Sequence, residues 1–325
     1  MTKNKTKKNN IFGTLYILCI LFLIFLLVLT PNKAIMTFGQ GVMIWATKIL
    51  PGLLPFLILT NLLSYTNFTS TIGKVISPAT KFLYNVGGVS GYVYIMSILS
   101  GYPIGAKLTS DLYKSGQISQ KQAFTITSFT STSGPLFIIG TVGIGFFNNQ
   151  KIGLIILIAH YIGALLNGLI YRSKEQSNLE YNVQPKTSMN FLNDSMTNSI
   201  MSIMIVGGFV ALFYMILNLL NSLNVFALPI LLLEKIGVDG SITTAIISGI
   251  IEVTSGELAL SKCGLNFNLS AILSSFLISF GGLSIHAQAY CFLKDFNMSY
   301  SKFLLQKITH AIISASVTFL ILCIL

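Results

Sequence analysis

The chain carries the same polar interruption twice inside apolar segments. Gly101 lies in the string Ser-Gly-Tyr-Pro, and Gly249, 148 positions later, lies in Ser-Gly-Ile-Ile-Glu. The same offset, without a gap, pairs four further identical residues: Lys114 with Lys262, Gly116 with Gly264, Ser131 with Ser279 and Gly134 with Gly282. Glycine-interrupted apolar segments at matching positions in the two halves of a membrane protein point to a transporter's binding site. The repeat therefore favours solute transport.

Composition places the chain in the lipid bilayer. Hydrophobic residues make up 53% of the 325 positions and charged residues only 9%, whereas a soluble domain carries roughly a quarter charged residues. We therefore expect a multi-pass integral membrane protein. The net charge of +11 comes from basic residues in short tails and loops, which membrane topology explains, so no nucleic-acid partner is expected.

The sequence gives no sign of an enzyme or of a resident cofactor. The four cysteines are scattered without a Cys-x-x-Cys pattern, so neither a metal site nor a disulfide is expected. A nucleophile elbow, a phosphate-binding loop in strand context and a catalytic triad are also missing from the sequence. We predict that the protein is not an enzyme.

Polar segments divide the chain. Residues 11–30 are apolar and follow a basic tail; at about 20 residues they match one bilayer crossing and exceed the apolar core of a signal peptide. We interpret them as an uncleaved first helix with a cytoplasmic amino end. The predicted units are the basic tail and first transmembrane helix (1–39), a first repeat (40–171), a cytoplasmic linker (172–196) and a second repeat (197–325).

The interruptions predict the fold class. Non-helical backbone in the hydrocarbon layer leaves polar groups unpaired, at several kcal/mol each, unless protein or a water-filled cavity covers it. Matched breaks in each half therefore predict re-entrant hairpins and broken helices around a central site. Basic residues concentrate in the loops expected inside, such as Lys74 and Lys81, which favours opposite orientation of the two halves. We predict an all-α polytopic membrane protein with two inverted repeats, closed by a clean span from Phe303 to Leu325.

Two glutamates and one lysine are the charged candidates for the site. A carboxylate inside a membrane segment costs about 2.5–3.5 kcal/mol and usually faces a cavity, so Glu252 and Glu257 are candidates for contact with substrate, coupling ion or proton. A structural hydrogen bond to a broken helix, or a membrane-edge position for Glu257, would also explain them. Lys107 suits an anionic substrate, but snorkelling or a pair with Asp111 explains it equally.

Hydroxyl and glycine residues mark both broken helices. A helix that starts after a break presents free N–H groups and a positive dipole end, which bind anions; close helix packing through small residues is the alternative. His286 and Gln288, past the second break, suit either a proton-sensitive site or a helix–helix hydrogen bond, whereas His160 and His310 look structural. The candidate substrate-binding residues are Lys107, Ser131, Ser133, Gly134, Glu252, Ser255, Glu257, Gly281, Gly282, Ser284, His286 and Gln288.

Four strings together carry a family resemblance. They are Ser-Gly-Tyr-Pro-Ile-Gly-Ala-Lys from Ser100, Ser-Gly-Pro-Leu-Phe-Ile-Ile-Gly from Ser133, Gly-Ile-Ile-Glu-Val-Thr-Ser-Gly from Gly249 and Gly-Gly-Leu-Ser-Ile-His-Ala-Gln from Gly281. The chain resembles, over nearly all of its length after the first helix, the sporulation integral membrane proteins of the YlbJ type, which carry two gate or nucleoside-recognition domains. The resemblance implies a fold related to concentrative nucleoside transporters. It also implies carriage of dipicolinate across the outer forespore membrane of a spore-forming Gram-positive bacterium.

The sequence leaves alternatives open. A nucleoside is neutral, so a nucleoside transporter would make Lys107 dispensable and the polar amides more important. A non-transporting spore-assembly membrane protein would tolerate replacement of the break residues. The expected partners are a small anionic solute, a coupling ion or proton and the lipid bilayer, and the formation of a homo-oligomer is left open.

Overall fold

The computed structural model describes residues 2–174 and 188–325. The structure is 83% helical, and the described residues contain no strand, so the predicted all-α class is confirmed. Most of the predicted linker 172–196 lies outside the described residues.

Apolar segments fold into helices because only helices and closed barrels satisfy the backbone within a bilayer. In chain order the α-helices are α1 (Thr2–Leu29), α2 (Pro31–Ile44), α3 (Leu50–Leu63), α4 (Asn67–Tyr84), α5 (Val89–Ser100), α6 (Ile104–Lys114), α7 (Gln120–Thr130), α8 (Gln150–Ile170), α9 (Phe191–Ser222), α10 (Ala227–Glu234), α11 (Gly240–Ile251), α12 (Val253–Leu260), α13 (Phe267–Phe280), α14 (Gly282–Leu293) and α15 (Tyr300–Ile324). Two π-helical segments, Trp45–Ile49 and Phe137–Phe146, lie after α2 and after α7, and Lys294–Phe296 forms one 3₁₀ turn.

The described residues contain five continuous helical stretches long and apolar enough to cross a membrane. A sixth crossing results if α4 and α5, bent by 104° at their junction, form one span. The five stretches are Pro31–Leu63, Gln150–Ile170, Phe191–Ser222, Phe267–Phe296 and Tyr300–Ile324. The second helix already begins at Pro31, so the boundary predicted after residue 39 falls inside a continuous helical stretch.

Each half contains a hairpin of two short helices followed by a helix that is split by a break. The first hairpin, α5 and α6, turns at residues 101–103, and the first split helix is interrupted at residues 131–134. The second hairpin, α11 and α12, turns at Glu252, and the second split helix, α13 and α14, is interrupted at Gly281. Hairpins and broken helices in both repeats were predicted and are confirmed.

Small residues allow the second hairpin to close tightly. A Cβ atom on Gly256 of α12 would lie 2.1 Å from the Cα of Gly249 in α11, so the two helices are in backbone contact. Gly249 lies within α11, although the sequence repeat pairs it with Gly101, and the structural counterpart of the Gly101 turn is Glu252, three residues later. The alignment without gaps pairs the wrong residues here, because the two repeats differ in length by a few residues near their hairpin turns.

Helices α8 and α15 occupy matching positions in the two repeats. His160 in α8 and His310 in α15 are 150 positions apart, and their rings lie 4.8 Å apart between centroids. Gly163 packs against Ser314, and a Cβ atom on Gly163 would lie 3.1 Å from the Cα of Ser314. Helices α8 and α15 therefore cross closely, and they pack against the segments that contain the breaks.

Candidate functional site

One cavity lies where the two hairpin turns, the first break and the first turns of α14 meet. Its cavity volume is about 60 Å³. The lining residues are Ser100, Gly101 and Tyr102 of the first hairpin turn; Ser133, Gly134 and Phe137 at the first split helix; Glu252, Val253 and Thr254 of the second hairpin turn; Ser284, Ile285 and Gln288 of α14; and Ile49, Leu53, Val206 and Val210 of the flanking spans. Polar groups therefore come from the breaks, and an apolar wall comes from α3, the π segment before it and α9.

The first hairpin turn touches the first break directly. Gly101 has φ +71°, and a Cβ atom there would lie 2.6 Å from the backbone nitrogen of Gly134. Only glycine combines this backbone conformation with this close approach. The contact leaves the backbone of both segments at the cavity surface.

The carboxylate of Glu252 caps helix α12. Its oxygens accept hydrogen bonds from the Thr254 N–H at 3.1 Å and from the Ser255 N–H at 2.7 Å, and the Ser255 hydroxyl donates a third at 2.6 Å. The side chain is 1% exposed. A carboxylate at a helix N-terminus satisfies free N–H groups and the positive dipole end. Glu252 therefore lines the cavity with its charge already balanced by its own helix.

Helix α14 presents an N-terminus without a side-chain cap at the cavity. The residue before its first turn is Gly281, which has no side chain to accept from the first N–H groups. Ser284 and Gln288, one turn apart, both line the cavity, and the buried Ser284 hydroxyl has no hydrogen-bond partner among the described residues. Free N–H groups and a free hydroxyl at the positive end of a helix dipole suit an anionic or strongly polar group.

Comparison with known proteins agrees with this geometry. The chain is 30% identical over 324 residues to the sporulation integral membrane protein YlbJ of Bacillus subtilis (strain 168), with 91% of this chain and 79% of that protein covered. The chain belongs to the YlbJ family of sporulation integral membrane proteins. A family profile described as "Gate: Nucleoside recognition" matches residues 46–150.

The fold is shared with a solved transporter structure. The concentrative nucleoside transporter CNTnw, as a single-residue variant in its intermediate 3 state, superposes with a TM-score of 0.53. The two chains are 18% identical, and the match covers 92% of this chain and 83% of the other. The protein is thus a multi-pass membrane protein of the YlbJ family that shares the fold of a nucleoside transporter.

The structure brings five of the twelve predicted substrate-binding residues to the cavity. They are Ser133, Gly134, Glu252, Ser284 and Gln288. Ser255 lies on the far side of Glu252, facing a second recess between α9 and the second hairpin. Lys107 is half-buried in α6 and is not part of the cavity lining.

Four other candidates lie outside the cavity lining. Gly281 and Gly282 have φ of +89° and +69° and form the second break. His286 lies 2.8 Å from the Phe280 carbonyl and 3.2 Å from the Tyr300 hydroxyl. Glu257 is fully buried, and neither carboxylate oxygen has a hydrogen-bond partner of good geometry among the described residues.

Lys307 is a functional candidate that the sequence analysis missed. The predicted clean span from Phe303 is interrupted by this lysine, which is 1% exposed in α15. Its Nζ donates to the Ser131 carbonyl at 2.9 Å and to the Tyr102 hydroxyl. A lysine two turns inside an apolar span was the available signal, since intramembrane charges mark functional sites.

No group of three or more metal-ligating side chains occurs among the described residues. The polar groups that line the cavity are backbone groups, hydroxyls, one amide and one capped carboxylate.

Proposed function

We propose that this protein transports dipicolinate, a small aromatic dianion, across the outer forespore membrane toward the forespore. The observation that carries the proposal is the meeting of both hairpin turns, the first break and the start of α14 around one cavity. Membership of a sporulation membrane-protein family supports the cargo. In transporters with broken helices, the substrate lies between the repeats where the helices are interrupted.

The cavity offers separate surfaces for the ring and for the carboxylates. Leu53, Val206 and Val210 provide an apolar wall for an aromatic ring, which gains about 25 cal/mol per Å² of apolar surface removed from water. The uncapped N-terminus of α14 and the Ser284 hydroxyl face the cavity from the other side and suit a carboxylate. Gln288 adds an amide donor one turn further along.

Glu252 does not exclude an anionic cargo from this cavity. Its carboxylate accepts from two backbone N–H groups and one hydroxyl, so its charge is directed into the N-terminus of α12. The role of Glu252 in this proposal is to hold the second hairpin turn in shape.

Alternating access follows from the two sources of the cavity wall. The breaks belong to the hairpins and split helices, whereas Ile49 and Val210 belong to the flanking spans. Movement of one group against the other would open the cavity to alternate sides, as in other inverted-repeat transporters.

Calorimetry on the detergent-purified protein tests the proposal, with dipicolinate as ligand and uridine as comparison. We expect saturable dipicolinate binding that weakens at least tenfold in Ser284→Ala and in Gln288→Ala. Ser195→Ala is the matched control. Ser195 is also a buried serine whose hydroxyl has no partner among the described residues, but it lies in α9 away from the cavity. Equal loss in Ser195→Ala would contradict the site.

A nucleoside is the second candidate cargo. The profile match over residues 46–150 carries the description "Nucleoside recognition", and the amide of Gln288 suits a neutral base. Saturable uridine binding without dipicolinate binding would replace dipicolinate by a nucleoside. Binding of neither by well-folded protein would favour a spore-assembly role instead.

A further inference from the structure

The ammonium of Lys307 joins the two broken segments of the first repeat. It reaches from α15 to the Tyr102 hydroxyl at the first hairpin turn and to the Ser131 carbonyl at the first break. Both acceptors belong to segments that lack regular helical hydrogen bonding. One side chain of the second repeat thus holds two interruptions of the first repeat together.

The surroundings of this ammonium attract a positive charge. Ser131 follows Thr130, the last residue of α7, and the last carbonyls of a helix are unpaired and carry its negative dipole end. The Lys307 Nζ also lies 4.7 Å from the centroid of the Tyr102 ring, a distance at which a ring face attracts a cation. In split-helix transporters, unwound carbonyls and the C-terminal ends of half-helices coordinate the coupling Na⁺ or proton.

Lys307 has no acidic partner that would make it an ordinary structural ion pair. Among the described residues, Lys114 forms an ion pair with Asp295 at 2.8 Å. No carboxylate there lies within ion-pair distance of Lys307. The charge is therefore directed only at neutral oxygens and at a ring face. Ionisable side chains buried inside a membrane segment mark functional sites, which makes a role in the site the better explanation than packing.

The arrangement is restricted to one repeat. At the second break the Phe280 carbonyl ends α13 and is contacted by the His286 ring from α14, at 2.8 Å. The offset of 150 that relates His160 to His310 relates Lys307 to Leu157 in α8. An apolar side chain therefore stands where a second lysine would be needed, and the first break alone receives a fixed ammonium.

We propose that the Lys307 ammonium is a built-in cation at the first break, where it takes the place of a mobile coupling cation. The break then needs no Na⁺ to hold Tyr102 and Ser131 together. A second consequence, that dipicolinate binding is independent of Na⁺, rests on the proposed function; the first does not.

Thermal melting of the purified protein tests the first consequence without any substrate. Melting temperatures are compared in sodium chloride and in choline chloride at equal ionic strength. We expect the wild type to melt at the same temperature in both salts. Lys307→Ala, which removes the charge and opens space, is expected to melt several degrees lower in choline and to regain part of the loss, saturably, with Na⁺ or methylammonium.

Lys307→Met is the matched variant, because it removes the charge but fills the space with an apolar chain. It is expected to melt lower and to show no cation response. A saturable Na⁺ effect on the wild type, or equal behaviour of Lys307→Ala and Lys307→Met, would overturn the proposal. If Lys307→Ala yields no folded protein, the sodium titration of the wild type still decides, since a built-in cation leaves no sodium site to saturate.

Calorimetry separates this inference from the proposed function. Dipicolinate binding of equal affinity in sodium and in choline is the expected result, and Na⁺-dependent binding would contradict the second consequence. Absence of dipicolinate binding would count against the proposed cargo but would leave the melting comparison intact.

Discussion

The imidazole Nε2 of His160 accepts a hydrogen bond from the backbone N–H of Ser133 at 2.9 Å. A backbone N–H can only donate, so Nε2 carries no proton and Nδ1 is the protonated nitrogen of a neutral ring. Nδ1 lies 2.7 Å from the Ser279 hydroxyl, one residue before the end of α13. A single neutral histidine therefore connects the breaks of the two repeats.

Removing this connection should destabilise the protein. His160→Phe keeps a ring but leaves the buried Ser133 N–H unsatisfied, at about 1–3 kcal/mol. His310→Phe is the matched control, because the one hydrogen bond of its Nε2 within the described residues is to the His160 carbonyl, at 3.0 Å. We expect thermal melting to show the larger loss for His160→Phe. Equal losses would mean that the rings matter by packing alone, and ¹⁵N NMR can check the Nδ1–H tautomer independently.

Close approach at the first hairpin turn can be separated from backbone conformation. Gly101 and Gly116 have nearly the same φ, +71° and +73°, but a Cβ on Gly116 meets nothing within 4 Å, whereas one on Gly101 meets the Gly134 nitrogen at 2.6 Å. Gly116→Ala should cost about 1 kcal/mol of stability for the left-handed conformation alone. Gly101→Ala should cost clearly more and abolish dipicolinate uptake by displacing the first break.

Thermal melting and uptake into proteoliposomes measure the two effects. Similar melting temperatures for the two alanine variants, or full uptake by Gly101→Ala, would show that the backbone contact between Gly101 and Gly134 is unimportant.

The breaks were predictable because they violate a strong physical rule. Backbone interruptions inside apolar segments, such as the one that contains Gly134, are costly in lipid and therefore stand out in a sequence. The predicted interruption at Gly281 and Gly282 is likewise a break in the structure.

Which side chains face the cavity was less predictable, because sequence spacing does not show the packing of short helices. Glu252 and Glu257 lie five residues apart, yet only Glu252 lines the cavity. Lys307 was overlooked because its partners, Tyr102 and Ser131, lie 205 and 176 residues away in sequence and become neighbours only through tertiary packing.

The same substitution should destabilise the protein at Glu252 but not at Glu257. Glu252→Gln loses acceptor capacity for the three donors at the N-terminus of α12 and should cost about 1–3 kcal/mol, the range for hydrogen bonds to charged groups. Glu257→Gln replaces a buried carboxyl whose oxygens have no partner of good geometry among the described residues. A neutral amide avoids the cost of burying a charge at this position, so this variant should be as stable as the wild type or more stable. Thermal melting of the two variants in one buffer makes the comparison. A larger loss for Glu257→Gln would show that the carboxyl group binds a cation or depends on its neighbour Ser274.

Lys107 should be dispensable for substrate affinity. The sequence makes it a candidate for neutralising an anion, but the side chain is half-buried on α6 and is not part of the cavity lining. Lys107→Ala should therefore bind dipicolinate within about twofold of the wild type, because the attraction between separated charges is screened by salt over roughly 10 Å. Calorimetry at two salt concentrations checks this, with Ser284→Ala as the variant that must lose affinity under the same conditions. A tenfold loss in Lys107→Ala that persists at high salt would place the lysine in direct contact with the anion and would move the site toward the first hairpin.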